Sequence, residues 1–218
     1  MLNLDEIFGG HRVMVILRGM PSPGSAVDAA HRAWNAGVEL VEVPIGQPGD
    51  TETLAAVAAA GQSRDKVVGA GTIIATGRLQ EAHAAGARYT VAPGFDSRMM
   101  AQSQAMGMPH LPGVATPSEV QQAWSAGCRW VKVFPASTLG PTWFSAIRGP
   151  FPDVSYLATG GVSLAAAPDY VAAGASIVAF GASAVAPERV DDLAELVNRL
   201  VRETKGAVTT PEAAEHRP

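Results

Sequence analysis

Lys132 is the residue whose surroundings call for a chemical explanation. It stands in the middle of an apolar run, Trp130-Val131-Lys132-Val133-Phe134-Pro135. The chain holds three lysines, Lys66, Lys132 and Lys205, against thirteen arginines. Burying an ammonium is costly unless it is paired or neutralised. A neutral lysine is a nucleophile that can form a Schiff base with a ketone. The plainer reading is a lysine at a strand edge or tied to a buried carboxylate, because structural ion pairs produce the same pattern. Glu42 is the matching acid, in Leu40-Val41-Glu42-Val43-Pro44. Side chains alternate along a strand, so Lys132 and Phe134 share one face and Val131 and Val133 the other. The valines suit a helix-packed outer face, which leaves Lys132, and by the same logic Glu42, facing inward.

Eight short apolar runs supply the elements that must position these groups: Val13–Leu17, Leu40–Pro44, Val67–Ala70, Tyr89–Ala92, Pro109–Leu111, Trp130–Phe134, Tyr156–Ala158 and Ile177–Phe180. Their starts lie 20 to 27 residues apart. Alanine-rich stretches with helical spacing separate them, including Ser25–Ala36, Thr51–Ala60, Arg78–Ala85 and Glu119–Ala126. Gly37, Gly86, Gly127 and Gly174 each follow such a stretch and precede a strand, where glycine can close a helix in the left-handed conformation. Thr116-Pro117-Ser118-Glu119 reads as a capping box with a helix-starting proline. Strand–helix alternation of this period implies right-handed βαβ units and a parallel sheet. Eight such units predict a single (β/α)8 TIM barrel of the α/β class over residues 1–204, with 205–218 as a flexible C-terminal tail. An open doubly wound sheet is the rival. Arg18-Gly19-Met20-Pro21 after the first strand is not its glycine fingerprint.

In such a barrel the active site forms at the carboxyl ends of the strands. The second and sixth strands stand opposite one another, so Glu42 and Lys132 can meet near the axis. Loops after the seventh and eighth strands often hold phosphate. Those positions carry Thr159-Gly160-Gly161 and Gly181-Ala182-Ser183, where glycines let backbone N–H groups approach an anion. Arg18 at the end of the first strand, with the Thr72 hydroxyl, suits a small carboxylate. The alternative for Arg18 is an ion pair with Glu42.

Other chemistries find no support. His11, His31, His83, His110 and His216 are scattered, and no two show ligand spacing with a carboxylate, so no metal site is expected. No P-loop or G-x-S-x-G elbow is present, and no cofactor is expected. Cys128 cannot form an internal disulfide, which fits a reducing compartment. The formal net charge of −4 gives no electrostatic case for nucleic acid or an anionic membrane. No apolar run is long enough to span a bilayer, and no signal peptide is evident. A cytoplasmic location is expected.

The motifs Ile16-Leu17-Arg18-Gly19, Val41-Glu42-Val43-Pro44, Val68-Gly69-Ala70-Gly71-Thr72, Val91-Ala92-Pro93-Gly94, Val131-Lys132-Val133-Phe134-Pro135 and Thr159-Gly160-Gly161-Val162 together resemble the class I 2-keto-3-deoxy-6-phosphogluconate (KDPG) aldolase family. That family includes 6-phosphogalactonate (KDPGal) aldolases and enzymes acting on 4-hydroxy-2-oxoglutarate. The resemblance implies a homotrimer without metal, a Schiff-base lysine at Lys132 and acid/base work by Glu42. It also implies carboxylate binding by Thr72 and an arginine, and phosphate binding around Gly160, Gly161 and Ser183. Phe134 and Pro93 would then pack beside the imine and limit water. Gly46 stands where the phosphogluconate branch commonly carries arginine, whereas Arg18 matches the phosphogalactonate branch. A phosphosugar isomerase or epimerase using Glu42, and a non-catalytic phosphosugar-binding protein, are the competing functions on this barrel.

Overall fold

The structure is a computed structural model that describes residues 3–207, with side chains described through Glu203. Nine parallel strands run through it: β1 (Val13–Ile16), β2 (Leu40–Pro44), β3 (Val68–Gly71), β4 (Tyr89–Val91), β5 (His110–Leu111), β6 (Gly113–Val114), β7 (Trp130–Val133), β8 (Ser155–Ala158) and β9 (Ile177–Gly181). Their order is β5-β4-β3-β2-β1-β9-β8-β7-β6. The two ends of that series, β5 and β6, are separated in sequence by Pro112 alone, so the sheet nearly closes on itself as the expected barrel. Proline has no N–H to donate to a ladder, so the expected fifth strand stops before Pro112, and β6, which the sequence did not suggest, follows it. The Pro112 carbonyl still accepts from Lys132 N–H at 2.8 Å, tying the break to β7.

Ten α-helices and one 3-10 turn (Ala182–Val185) accompany this sheet among the described residues: α1 (Leu4–Phe8), α2 (Pro23–Asn35), α3 (Asp50–Gln62), α4 (Gly77–Ala84), α5 (Ser97–Ala105), α6 (Pro117–Ser125), α7 (Ala136–Leu139), α8 (Pro141–Arg148), α9 (Ala167–Ala172) and α10 (Val190–Ala207). Thr116 and Glu119 form the expected capping box at α6. Gly37, Gly86, Gly127 and Gly174 all take positive φ, as the helix-closing role requires. The last helix runs three residues beyond the expected boundary at 204, and the rest of the expected tail lies outside the described residues.

Strand alternation sorts the core into two layers. Val13, Val15, Val41, Val43, Val131, Val133 and Tyr156 face outward into the apolar layer shared with the helices. Met14, Ile16, Leu40, Tyr89, Val91, Trp130, Leu157 and Ile177 fill the lumen. The same parity turns Glu42 and Lys132 inward. Sequence reading missed α1, a five-residue helix with a reciprocal cap between Asn3 and Glu6. Its Phe8 is fully buried and meets the rings of Tyr89 and Trp130 edge-on at 5.1 and 5.3 Å. Asp5 accepts a hydrogen bond from Trp130 Nε1 at 2.6 Å. Thus α1 closes the amino-terminal end of the lumen and leaves the carboxyl end for chemistry. No described helix is long and apolar enough to cross a membrane.

Candidate active site

Lys132 and Glu42 meet inside the barrel, with Nζ 4.0 Å from Oε1 and side chains 6% and 0% exposed. That separation is an ion-pair contact without a hydrogen bond. No protein donor reaches either Glu42 oxygen. A purely structural buried pair is expected to have its remaining lone pairs satisfied, because an unmet buried carboxylate is expensive. Here the hydrogen-bonding capacity is held open beside a lysine.

Glycine makes the room. A Cβ on Gly71 would fall on the Glu42 carboxylate, so only glycine at the end of β3 lets that side chain extend toward Lys132. Gly69 makes space in the same way for the Tyr89 ring. The Tyr89 hydroxyl donates to Val41 O at 3.0 Å. Burial, and then the neighbouring Glu42 charge, push that hydroxyl well above the usual tyrosine range. Tyr89 is therefore a neutral floor beneath the pair.

Lys132 opens toward a cleft of about 490 Å³ at the carboxyl ends of the strands. Eight of the expected site residues line it: Arg18, Lys132, Phe134, Thr159, Gly160, Gly161, Gly181 and Ser183. Arg18 Nη2 donates to Thr72 Oγ1 at 2.9 Å, so Thr72 joins the site through Arg18. Arg18 thus takes Thr72 rather than Glu42 as partner. Thr72 itself holds φ of 63°, a left-handed conformation that costs a β-branched residue energy and is concentrated at functional positions. Gly46 carries no cation. The loop after β2 is pinned instead by Asp50, whose Oδ2 accepts from the N–H groups of Gly46 and Gln47 at 2.8 and 2.7 Å. Pro93, half-buried after β4, packs against Gly113 and is not among the cleft's lining residues.

The glycine loop after β8 is fastened to the first turn of α7, just beyond the lysine's strand. Ala136 N–H donates to Thr159 O at 2.8 Å and Ser137 N–H to Gly160 O at 3.0 Å. Gly160 and Gly161 take φ of 98° and 78°. Added Cβ atoms would press Gly160 into the Phe134 ring and Gly161 into the Ser137 side chain. Phe134 stands 41% exposed at the cleft wall, with its ring centroid 5.7 Å from Lys132 Nζ. An apolar ring thus stands beside the amine with a carboxylate below it, in a cleft that also holds an arginine and a glycine-rich loop. Ser163 bonds Ala166 N–H at 3.3 Å and serves the local turn. Sequence reading missed Arg189, which also lines the cleft. It follows the loop after β9, and neither hydrophobic periodicity nor a motif marks it.

A larger cavity of about 690 Å³ lies at the opposite end, among Asp5, Met100, His110, Cys128 and Trp130. Burial pushes the Cys128 thiol up to about 11 and His110 down to about 4. Neither suits nucleophilic chemistry near neutrality, so function follows the smaller cleft. Among the described residues no cluster of His, Cys, Asp and Glu is arranged to hold a metal.

Comparison with known proteins speaks to the family and the fold. The profile of the family described as KDPG and KHG aldolase matches residues 5–199. A 2-dehydro-3-deoxy-phosphogluconate aldolase of Treponema pallidum is 36% identical over 67% of this chain and 70% of its own length. A 2-dehydro-3-deoxy-6-phosphogalactonate aldolase of Escherichia coli is 30% identical over 69% of this chain and 73% of its own. Among solved structures, a KDPG aldolase from Legionella pneumophila with pyruvate captured as a covalent carbinolamine superposes with TM-score 0.76 at 26% identity. That match covers 88% of this chain and 95% of the other.

Proposed function

The chain belongs to the KDPG and KHG aldolase family and is an enzyme with aldolase activity, and we propose that it works through a Schiff base on Lys132. The substrate is a 2-keto-3-deoxy-6-phospho sugar acid of the gluconate or galactonate type, cleaved to pyruvate and glyceraldehyde 3-phosphate. 4-Hydroxy-2-oxoglutarate, cleaved to pyruvate and glyoxylate, fits the same chemistry. One observation carries the reading: a buried lysine faces the cleft 4.0 Å from a carboxylate that has no other protein partner.

That geometry supports the following steps. Unprotonated Lys132 attacks the C2 ketone to give a carbinolamine, and Glu42 moves the protons that let water leave. The resulting iminium accepts the electron pair of the C3–C4 bond as the C4 hydroxyl loses its proton to Glu42. The aldehyde departs and an enamine remains. Protonation at C3 and hydrolysis return pyruvate and free lysine. Arg18 and Thr72 hold the C1 carboxylate, while Gly160, Gly161 and Ser183, with Thr159 and Gly181 beside them, hold the phosphate. Phe134 shields the imine. The burial of Lys132 beside Glu42 favours this reading over an isomerase, which would need Glu42 alone.

The homotrimer belongs to the same proposal. Ile74, 71% exposed beside Thr72, and Trp124, 43% exposed, offer apolar surface for subunit contact. Sedimentation of a monomer at working concentration would remove it. For the mechanism, borohydride reduction in the presence of pyruvate is expected to leave a stable adduct on the peptide carrying Lys132, and Lys132→Ala to abolish both adduct and turnover. Full activity in Lys132→Ala would overturn the Schiff-base assignment. Comparing kcat/KM for the two C4 epimers assigns the branch.

A further inference from the structure

The proposed substrate carries an anion at each end, and the cleft carries two arginines. Arg18 is committed to the Thr72 side. The other, Arg189, lines the cleft together with Gly160, Gly161 and Ser183. Its backbone is fixed at the entrance of α10: its N–H donates to Ala186 O at 2.9 Å, and its carbonyl accepts from Leu193 N–H at 3.1 Å. The turn before it is anchored from outside the barrel, where Arg32 Nε donates to Val185 O at 2.7 Å. No described carboxylate lies within ion-pair distance of the Arg189 guanidinium, although Asp191 and Asp192 follow it in the chain. The expected phosphate groups at this end, glycine N–H groups and a serine hydroxyl, are all uncharged. A dianion held by neutral donors alone forgoes the stronger charge-assisted bonds that a guanidinium supplies.

We propose that Arg189 is the cation of the phosphate end and sets the preference for phosphorylated over unphosphorylated substrate. This rests on the aldolase reading above and adds a residue to it. Placed on the phosphate rather than on the reacting carbons, Arg189 contributes uniform binding that appears in KM rather than kcat.

The test uses the full-length enzyme and two substrates, a 2-keto-3-deoxy sugar acid and its 6-phosphate, in the wild type, Arg189→Gln and Arg189→Lys. For Arg189→Gln the ratio of kcat/KM for the phosphorylated over the unphosphorylated substrate is expected to fall roughly tenfold, the scale of one charge-assisted contact. The loss is expected in KM, with Arg189→Lys recovering part of it. Borohydride trapping of pyruvate in each variant reports an intact lysine site. An unchanged ratio, or an equal loss on both substrates, overturns the assignment. A wild-type enzyme that releases pyruvate from neither substrate instead overturns the aldolase reading, and this inference with it.

Discussion

Lys132 and Glu42 were legible from their neighbours, because valines on the outer parity of their strands left the charged side chains no place but the lumen. Arg18 and Thr72 were legible as a pair from their strand ends, and the 2.9 Å bond joins them. Gly71 was legible as a strand-end glycine but not as a requirement, since the demand comes from Glu42 on the adjacent strand. Its φ is not in the left-handed region, so alanine meets no backbone penalty there and the collision with the carboxylate is the whole effect. Gly71→Ala must therefore displace Glu42 from Lys132. A shift of about 1 Å in a catalytic group can lower turnover roughly 100-fold, and a loss of that order in kcat is expected. Retained kcat in a folded Gly71→Ala enzyme would show that proton movement does not depend on where Glu42 now stands.

At the scale of elements, the βα units were readable because short apolar runs alternate with helical stretches, several of them alanine-rich and closed by a glycine. Two features were not. Strand β6 resumes the sheet just past Pro112, where short-range pattern reads a strand end. Helix α1 has only five residues, too few for a periodic signal, and its purpose is set by the distant rings it meets. Phe8 joins Tyr89 and Trp130 across the floor of the lumen, directly below the layer that carries Glu42 and Lys132. Truncating a fully buried phenylalanine removes its transfer free energy and leaves a cavity, together about 3–5 kcal/mol. Phe8→Ala is expected to lose stability on that scale in urea unfolding. A change below about 1 kcal/mol would mean that α1 is a detachable cover rather than part of the core.

The whole molecule separates a chemically open end from a closed one, and its response to acid follows from the closed end. His110, at the start of β5, is 4% exposed and contacts Thr90 Oγ1 through Nδ1 at 2.8 Å. Desolvation lowers it from 6.5 to about 4. Between those values the unfolded chain binds a proton at this histidine that the folded chain refuses, so stability must fall as pH drops through that window. Above pH 6.5 both states are neutral and the term is flat. The full cost over the window is roughly 3 kcal/mol, at 1.36 kcal/mol per pH unit. His11, also lowered chiefly by burial, adds a slope of the same sign. Asp96 and Glu119 are held below their ordinary values by hydrogen bonds, from Arg98 and from the Ala115 N–H respectively, so their contribution is lost only at lower pH. The interval from pH 6.5 to 4.5 therefore isolates the histidines. Urea midpoints measured across it are expected to decline in the wild type and to decline less in His110→Asn, which retains a polar partner for Thr90. Equal slopes in the two proteins would show that the floor of the barrel admits a charged His110 without penalty, and that the fold's acid sensitivity arises elsewhere.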